Sequence, residues 1–198
     1  MKPTDHTKAE PAALGAGAAG QFKIENRKSK IQRLLAYRRL WLFAVVFFVL
    51  DQVTKAMIAT RLAYGSYGRG AQIEIFPGFL NLVHVGNTGA AWSMFSGQSL
   101  WLALLALGAL AAIYIWRHNL GLHHAAAQPA FGLLCGGIVG NLLDRLVRGH
   151  VIDFLDFHFG AYTYPTFNVA DSAICVGVFW YILWSLRQPP EAAAGSNK

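Results

Sequence analysis

Four long apolar stretches dominate this sequence and restrict what the chain can fold into. They cover residues 40–60, 98–116, 129–147 and 167–187. Each has close to the 20 residues or so that an α-helix needs to cross the hydrocarbon core of a bilayer. The second stretch has no charged residue from Leu100 to Trp116. The sequence therefore predicts an all-α membrane protein with four transmembrane helices.

The composition supports this interpretation. Charged residues make up 14% of the 198 residues and hydrophobic residues 55%, with a mean hydropathy of +0.36. Soluble domains carry about 25% charged residues, so these values exclude both a soluble globular enzyme and a disordered chain. Two cysteines, Cys135 and Cys175, are too few for a disulfide framework or a four-cysteine zinc site.

Lysine and arginine are unevenly distributed. Nine of the 17 fall within residues 1–39, directly before the first apolar stretch, and this segment carries most of the net charge of +7. Cytoplasmic flanks of membrane proteins are enriched in these residues. With the amino terminus inside, four spans place twelve of them in the cytoplasm and only Arg61, Arg69, Arg145 and Arg148 outside. Both termini are therefore predicted to be cytoplasmic, and the basic segment is not interpreted as a nucleic-acid-binding surface.

The two ends of the chain lie outside the apolar stretches. Residues 1–38 are basic and rich in Ala and Gly, which predicts a disordered cytoplasmic extension. Residues 189–198 begin with two prolines and are predicted to be a cytoplasmic tail. Residues 39–188 are predicted to form one membrane domain.

The outer segments connecting the spans contain their own patterns. Residues 72–76 and 79–85 alternate in polarity around Pro77-Gly78, which predicts two short strands of a small β-sheet at the membrane face. Residues 148–166 carry aromatic residues at short intervals. This pattern is typical of a segment resting at the lipid headgroups, and it predicts an interfacial loop.

A charged residue inside a span costs about 2.5–3.5 kcal/mol and needs a reason to be there. Asp51 and Lys55 lie four residues apart on one helical face, where a local salt bridge accounts for both. The alternative is that they position a substrate or support a site. These two interpretations remain open on the residues alone.

The third span has a polar face near its end. Asn141, Asp144 and Arg145 share this face, and the two charges can neutralise each other or partners on adjacent helices. Small residues at every fourth position allow close approach of another helix. The relevant glycines are Gly132, Gly136 and Gly140.

Two more aspartates are predicted at the outer ends of the last two spans. Asp153 follows the third span, and Asp171 lies one turn into the fourth, which Asn168 is suited to cap. Taken singly, Asp153 could be a solvated interfacial carboxylate and Asp171 a helix-start charge. Taken together in a low-dielectric pocket, they would share a proton, one serving as base and the other as acid. Such a pair can activate water for peptide hydrolysis without a metal or a covalent nucleophile.

Two functions without proteolysis remain as alternatives. A small membrane transporter or channel subunit would spread its acidic residues over the membrane depth, whereas Asp144, Asp153 and Asp171 are predicted to cluster toward one side. A non-catalytic lipopeptide-binding protein would keep its function with Asp153→Asn or Asp171→Asn. The sequence contains no His-Glu-x-x-His, Gly-x-Ser-x-Gly or phosphate-loop motif.

Five ordered blocks resemble the signatures of bacterial lipoprotein signal peptidase (signal peptidase II), a family of aspartic intramembrane proteases. The blocks are Asp-Gln-Val-Thr-Lys (51–55), Asn-Thr-Gly-Ala-Ala-Trp-Ser (87–93), Gly-Asn-Leu-Leu-Asp-Arg (140–145), Val-Ile-Asp-Phe (151–154) and Phe-Asn-Val-Ala-Asp-Ser (167–172). The resemblance covers residues 45–187. The first 40 residues lie outside it.

This resemblance implies an endopeptidase that removes signal peptides from diacylglyceryl-modified prolipoproteins by cutting just before the lipidated cysteine. It implies that Asp153 and Asp171 form the catalytic pair. Asp144 is an alternative member of the pair, although its neighbour Arg145 favours an ion-paired supporting role. Supporting or substrate-binding roles are implied for Asn87, Asn141, Asp144, Arg145, Asn168, Asp51 and Lys55.

The resemblance also implies a cellular setting. The protein would be a multi-pass protein of the bacterial inner membrane, with its active site at the outer, periplasmic face and no cofactor or metal. Its partners would be diacylglyceryl-prolipoproteins and membrane lipids, and no nucleic acid. Globomycin-type inhibitors would occupy the aspartate pair. A monomer would suffice, because one chain supplies both aspartates.

Overall fold

The computed structural model describes residues 32, 34–68, 70–90 and 94–188. Four long helices and a four-stranded antiparallel sheet make up most of these residues. The helices are α1 (Arg38–Arg61), α2 (Ser99–Ile115), α3 (Gln128–Arg148) and α4 (Val169–Leu186). The strands are β1 (Ile73–Phe76), β2 (Leu80–Asn87), β3 (Val151–Phe159) and β4 (Tyr162–Thr163).

All four predicted apolar stretches are helical, and each helix begins and ends within two residues of its predicted bounds. Among the described residues, α1, α3 and α4 are long and apolar enough to cross a membrane. The apolar helix α2 has 17 residues and falls short of that length. The chain is thus a multi-pass helical membrane protein with three candidate spans and one shorter apolar helix.

The sheet has the strand order β1-β2-β3-β4. Its first two strands form the predicted hairpin, with the turn at residues 77–79. The prediction of a loop over residues 148–166 is wrong in part, because β3 and β4 lie there. The residues from Val151 to Phe154 are all buried, so this part of β3 lacks the alternation that marks a half-buried strand.

The sheet lies, along the chain, between the carboxyl-terminal ends of α1 and α3 and the amino-terminal ends of α2 and α4. The turn from α3 into β3 takes only two residues. Gly149 ends α3 with a left-handed φ of 76°, and its N–H donates to the carbonyl oxygen of Arg145. This turn brings Asp153 back over the end of the helix it follows.

Glycines allow α3 to pack closely against two neighbours. An added Cβ at Gly132 or Gly136 would lie within 2.7 Å of a backbone oxygen of α1. At Gly137 it would lie 2.5 Å from the carbonyl oxygen of Ala170 in α4. The predicted packing role of this glycine stripe is confirmed, and α3 is the central helix against which α1 and α4 pack.

Some predictions concern residues that the structure does not describe. Those for residues 1–38 fall almost wholly outside the described ranges, and those for 189–198 fall outside them. Residues 91–93 of the second signature block are also outside. The described residues from Arg39 onward belong to one compact unit.

Candidate active site

Asp153 and Asp171 meet at one cavity of about 330 Å³, where the sheet covers the ends of α3 and α4. β3 supplies Asp153, and α4 supplies Asp171. The apolar walls include Val151, Phe167 and Ile174. The polar lining consists of Asn87, Asn141, Arg145, Asp153, Tyr164, Thr166, Asp171 and Ser172.

Asp153 is only 2% exposed. Its Oδ1 accepts a hydrogen bond from Asn168 Nδ2 at 2.8 Å, and its Oδ2 accepts one from Asn87 Nδ2 at 2.9 Å. Burial raises the pKa of Asp153 to about 7, with a smaller contribution from the negative charge of Asp171, although the two hydrogen bonds lower this pKa. A carboxyl with this pKa exchanges its proton near neutral pH.

Asp171 is held by the start of α4. Asn168 caps this helix, as predicted, by accepting a hydrogen bond from the Asp171 N–H at 2.9 Å. In return Asp171 Oδ2 accepts the Asn168 N–H at 3.2 Å, which completes a capping box. Asp171 Oδ1 accepts a hydrogen bond from Asn141 Nδ2 at 2.7 Å. The local cap thus fixes a carboxylate at the cavity wall.

Asn168 links the two aspartates. Its side chain is fully buried. The Oδ1 atom accepts a hydrogen bond from the backbone N–H of Asp171, and the Nδ2 group donates one to the carboxylate of Asp153. The same Nδ2 lies 3.3 Å from Asn141 Oδ1. The sequence indicated Asn168 as a helix cap, and the family resemblance implied a supporting role. In the structure its side chain donates to the carboxylate of Asp153 and its backbone N–H donates to that of Asp171.

A buried charge network lies behind the cavity. Lys55 Nζ is 2.8 Å from Asp51 Oδ2, 2.8 Å from Asp144 Oδ2 and 2.9 Å from Asn141 Oδ1. Lys55, Asp51 and Asp144 are all fully buried. The predicted Asp51–Lys55 salt bridge is present, but it forms part of a larger network. The ammonium group donates hydrogen bonds to Asp51 and Asn141 and makes an ionic contact with Asp144.

Arg145 does not neutralise Asp144, although the two are neighbours in sequence. Adjacent helical residues do not face each other, and the second cation on Asp144 is Arg148, one turn further along. Arg145 instead donates to the carbonyl oxygens of Gly89, at 3.1 Å, and Asn141, at 3.3 Å. It lines the cavity, whereas Asp144 is enclosed in the charge network.

Two connections in this network had no signal in the sequence. Asp51 Oδ1 accepts the backbone N–H of Ala170 at 2.9 Å, which ties α1 to the first turn of α4. Gln52 Nε2 donates to Asp51 Oδ2 at 3.0 Å and to the carbonyl oxygen of Gly140 at 3.3 Å. Gln52 is uncharged, so it did not stand out within its apolar span.

Asp156 is a further buried carboxylate, three residues beyond Asp153 on the same strand. Its partners are His158 Nε2 at 2.6 Å, Asn81 Nδ2 at 3.3 Å and the Tyr67 hydroxyl at 3.5 Å. Burial and the charge of Asp156 raise the pKa of Tyr67. This cluster stabilises the sheet outside the cavity.

The described residues hold no cluster of three or more His, Cys, Asp or Glu side chains suited to a metal ion. The polar groups that line the cavity are two carboxylates, the amides of Asn87 and Asn141, one arginine and several hydroxyl groups. Fold and site together define a multi-pass helical membrane protein with two carboxylates, a buried Asp153 and a half-buried Asp171, at one cavity near the helix ends.

The family model for signal peptidase (SPase) II matches residues 43–187. The chain belongs to the signal peptidase II family, and the resemblance seen in the five sequence blocks is confirmed. The matched range contains every predicted site residue.

Curated relatives and solved structures agree with this membership. The chain is 44% identical to a lipoprotein signal peptidase of Symbiobacterium thermophilum over 136 residues, 68% of this chain and 86% of that protein. It is 39% identical to one of Vibrio cholerae over 166 residues, 80% and 92% of the two chains. A bacterial membrane enzyme solved in meso at 2.3 Å is 33% identical with a TM-score of 0.67, covering 79% of this chain and 93% of that one. Another, at 1.9 Å, is 34% identical with a TM-score of 0.64, covering 75% and 92%.

Membership in this family implies a peptidase and supports signal-peptide cleavage from lipoproteins. It disfavours the transporter and non-catalytic binding alternatives.

Proposed function

We propose that this chain is an aspartic endopeptidase that removes signal peptides from diacylglyceryl-modified prolipoproteins, cutting just before the lipidated cysteine. Family membership supports the peptidase activity and the lipoprotein substrates. The observation that carries the catalytic assignment is the cavity that Asp153 and Asp171 line together, with the buried Asn168 in contact with both residues.

In the first step, the two aspartates have different roles. Asp153, with a pKa of about 7, supplies a proton near neutral pH. Asp171 lies in the first turn of α4, where the helix dipole stabilises a negative charge. Asp171 takes a proton from water while the water oxygen attacks the scissile carbonyl carbon, and Asp153 gives its proton to the carbonyl oxygen.

In the second step, the neutral tetrahedral diol collapses. Asp171 gives the proton it has taken to the amide nitrogen as the carbon–nitrogen bond breaks, and one diol hydroxyl returns a proton to Asp153. The products are the carboxyl terminus of the signal peptide and the free amino group of the lipidated cysteine. The pair returns to its starting state without a covalent intermediate.

The proposed setting is the bacterial inner membrane, with all four helices crossing it and both termini in the cytoplasm. At 1.5 Å per residue, the 17 residues of α2 span about 25 Å, close to the roughly 30 Å hydrocarbon core. Its surface carries exposed large apolar side chains, including Trp101 and Leu105. The sheet and cavity adjoin the carboxyl-terminal ends of α1 and α3 and the amino-terminal end of α4, so with a cytoplasmic amino terminus the active site would lie at the periplasmic face.

Substrate access is proposed to be lateral from the lipid. The cavity has apolar walls between α3 and α4, suited to the segment that precedes the scissile bond. A globomycin-type lipopeptide would occupy the same cavity and block the pair. One chain supplies both aspartates, so the active unit would be a monomer.

The full chain, purified in detergent, tests this function with one prolipoprotein prepared with and without its diacylglyceryl group. The expected result is a single cut before the cysteine of the lipidated form, identified by product mass and blocked by a globomycin-type lipopeptide. Binding without cleavage would contradict the enzyme assignment. Equal cleavage of the unmodified form would contradict the substrate assignment.

A further inference from the structure

We propose that Lys55 is a positioning residue of the active site, whose ammonium group fixes the orientation of the Asn141 amide and thereby the donor that holds Asp171. This inference rests on the proposed function, because it assigns Lys55 a part in the reaction of the aspartate pair. The residue acts through Asn141, and the cavity lining described above does not include it.

The contacts of Lys55 leave little freedom to its ammonium group. The side chain is fully buried, and its Nζ lies within 2.9 Å of Asp51, Asp144 and Asn141. An ammonium group has three donors and no acceptor. The two carboxylates hold Lys55 in place with ionic contacts, and the third contact is with the amide oxygen of Asn141.

That third contact decides which way the Asn141 amide points. The oxygen and nitrogen of an asparagine side chain have nearly the same shape, so their placement is set by their partners. A group that only donates requires the oxygen on its side, which leaves Nδ2 facing Asp171 Oδ1 at 2.7 Å. The amide of Asn168 also donates toward the same oxygen, at 3.3 Å.

Removal of the ammonium group would remove the shorter of the two hydrogen bonds that hold the Asn141 oxygen in place and leave only the longer one from Asn168. The Asn141 amide could then turn its oxygen toward Asp171, where two acceptors would repel and the charged carboxylate would lose its donor. The effect would fall on the catalytic step, because the ionised form of Asp171 is the proposed base. Substrate binding along the apolar walls would be little changed.

Arg148 provides a matched control. It is the other cation on Asp144, but its side chain is about one-third exposed and its contact is with that carboxylate. Loss of Lys55 or Arg148 weakens the charge network in both cases. Only loss of Lys55 frees the Asn141 amide.

The test compares kcat and KM for a lipidated prolipoprotein in detergent, using Lys55→Met, Asn141→Ala, the double variant and Arg148→Met. Lys55→Met and Asn141→Ala should each lower kcat by about 10- to 100-fold, the value of one hydrogen bond to a charged group. KM should stay within about twofold. The double variant should be no slower than Asn141→Ala alone, and Arg148→Met should keep kcat within about twofold.

A second pair of variants tests the proposal if Lys55→Met alone does not fold. Lys55→Met/Asp144→Asn restores the charge balance of the network but still frees the amide. Its kcat should be about 10- to 100-fold below that of Asp144→Asn alone, with similar thermal unfolding. Equal kcat for these two variants would overturn the proposal.

Two further results would overturn it. If the losses of kcat multiply in Lys55→Met/Asn141→Ala, Lys55 acts independently of Asn141. If Arg148→Met lowers kcat as much as Lys55→Met does, the effect comes from weakening the charge network and not from the Asn141 amide. Absence of cleavage by the wild type would overturn the proposed function and this inference together. Normal cleavage by both wild type and Lys55→Met would overturn this inference alone.

Discussion

Asn in place of Asp153 should remove a pH dependence of stability that the buried carboxyl imposes. The folded chain raises the pKa of this group from the ordinary 3.8 to about 7. Because the folded-state pKa lies above the unfolded one, the folded state binds the proton more tightly. The resulting stabilisation is complete below pH 3.8 and is lost as the pH rises through 7.

The magnitude follows from proton linkage. With pKa values of 3.8 and about 7, the free energy of unfolding contributed by this group falls by about 2–3 kcal/mol between pH 5 and pH 8. Asp153→Asn lacks this dependence. The variant also replaces one carboxylate oxygen by an amide NH2 group. One of the two hydrogen bonds to residue 153 is therefore lost, which costs about 1 kcal/mol of stability at every pH.

The assay is denaturant unfolding in detergent at pH 5, 6, 7 and 8, followed by tryptophan fluorescence. The stability difference between wild type and Asp153→Asn should change by about 2–3 kcal/mol over this range. Asp171→Asn, which removes the second cause of the raised pKa, should retain only part of the wild-type dependence. Parallel curves for wild type and Asp153→Asn would refute the reasoning.

Two other predictions concern packing and the amide donors. Gly137→Ala places a methyl group 2.5 Å from the Ala170 carbonyl oxygen and should lower stability by about 1–3 kcal/mol in thermal unfolding. Gly108→Ala in α2, where the added carbon meets nothing within 4 Å, should be neutral or stabilising by roughly 0.5–1 kcal/mol; equal losses would contradict the packing account. Asn87→Ala removes a hydrogen bond that lowers the pKa of Asp153, so the pKa rises further. Since the reaction needs the protonated form, the high-pH limb of the activity profile should move to higher pH, and an unmoved limb would contradict this role.

The helices could be predicted because a membrane span needs a long apolar run whatever it packs against. Each of the four helices lies within two residues of its predicted bounds. The hairpin of β1 and β2 could be predicted as well, because its polarity alternates around Pro77-Gly78. These signals are local, and a single segment carries each of them.

What could not be predicted depends on contacts between distant segments. β3 was missed because Val151 to Phe154 are all buried and no alternation marks the strand. The residues alone allowed Asp144 to pair with Arg145 or with a partner on an adjacent helix, but they could not identify Lys55, because this contact exists only once α3 packs against α1. The double contact of Asn168 likewise requires α4 to meet β3.

The most direct test of the central claim is single-turnover cleavage of a diacylglyceryl-modified prolipoprotein by three Asp→Asn variants. Asp153→Asn and Asp171→Asn should each be at least about 10³-fold slower than wild type, as expected when a general acid or base is lost. Asp156→Asn, which changes a buried carboxylate outside the cavity on the same strand, should stay within about tenfold of wild type. Near-normal turnover by Asp153→Asn or Asp171→Asn, with both proteins folded, would contradict the aspartate pair as the catalytic centre.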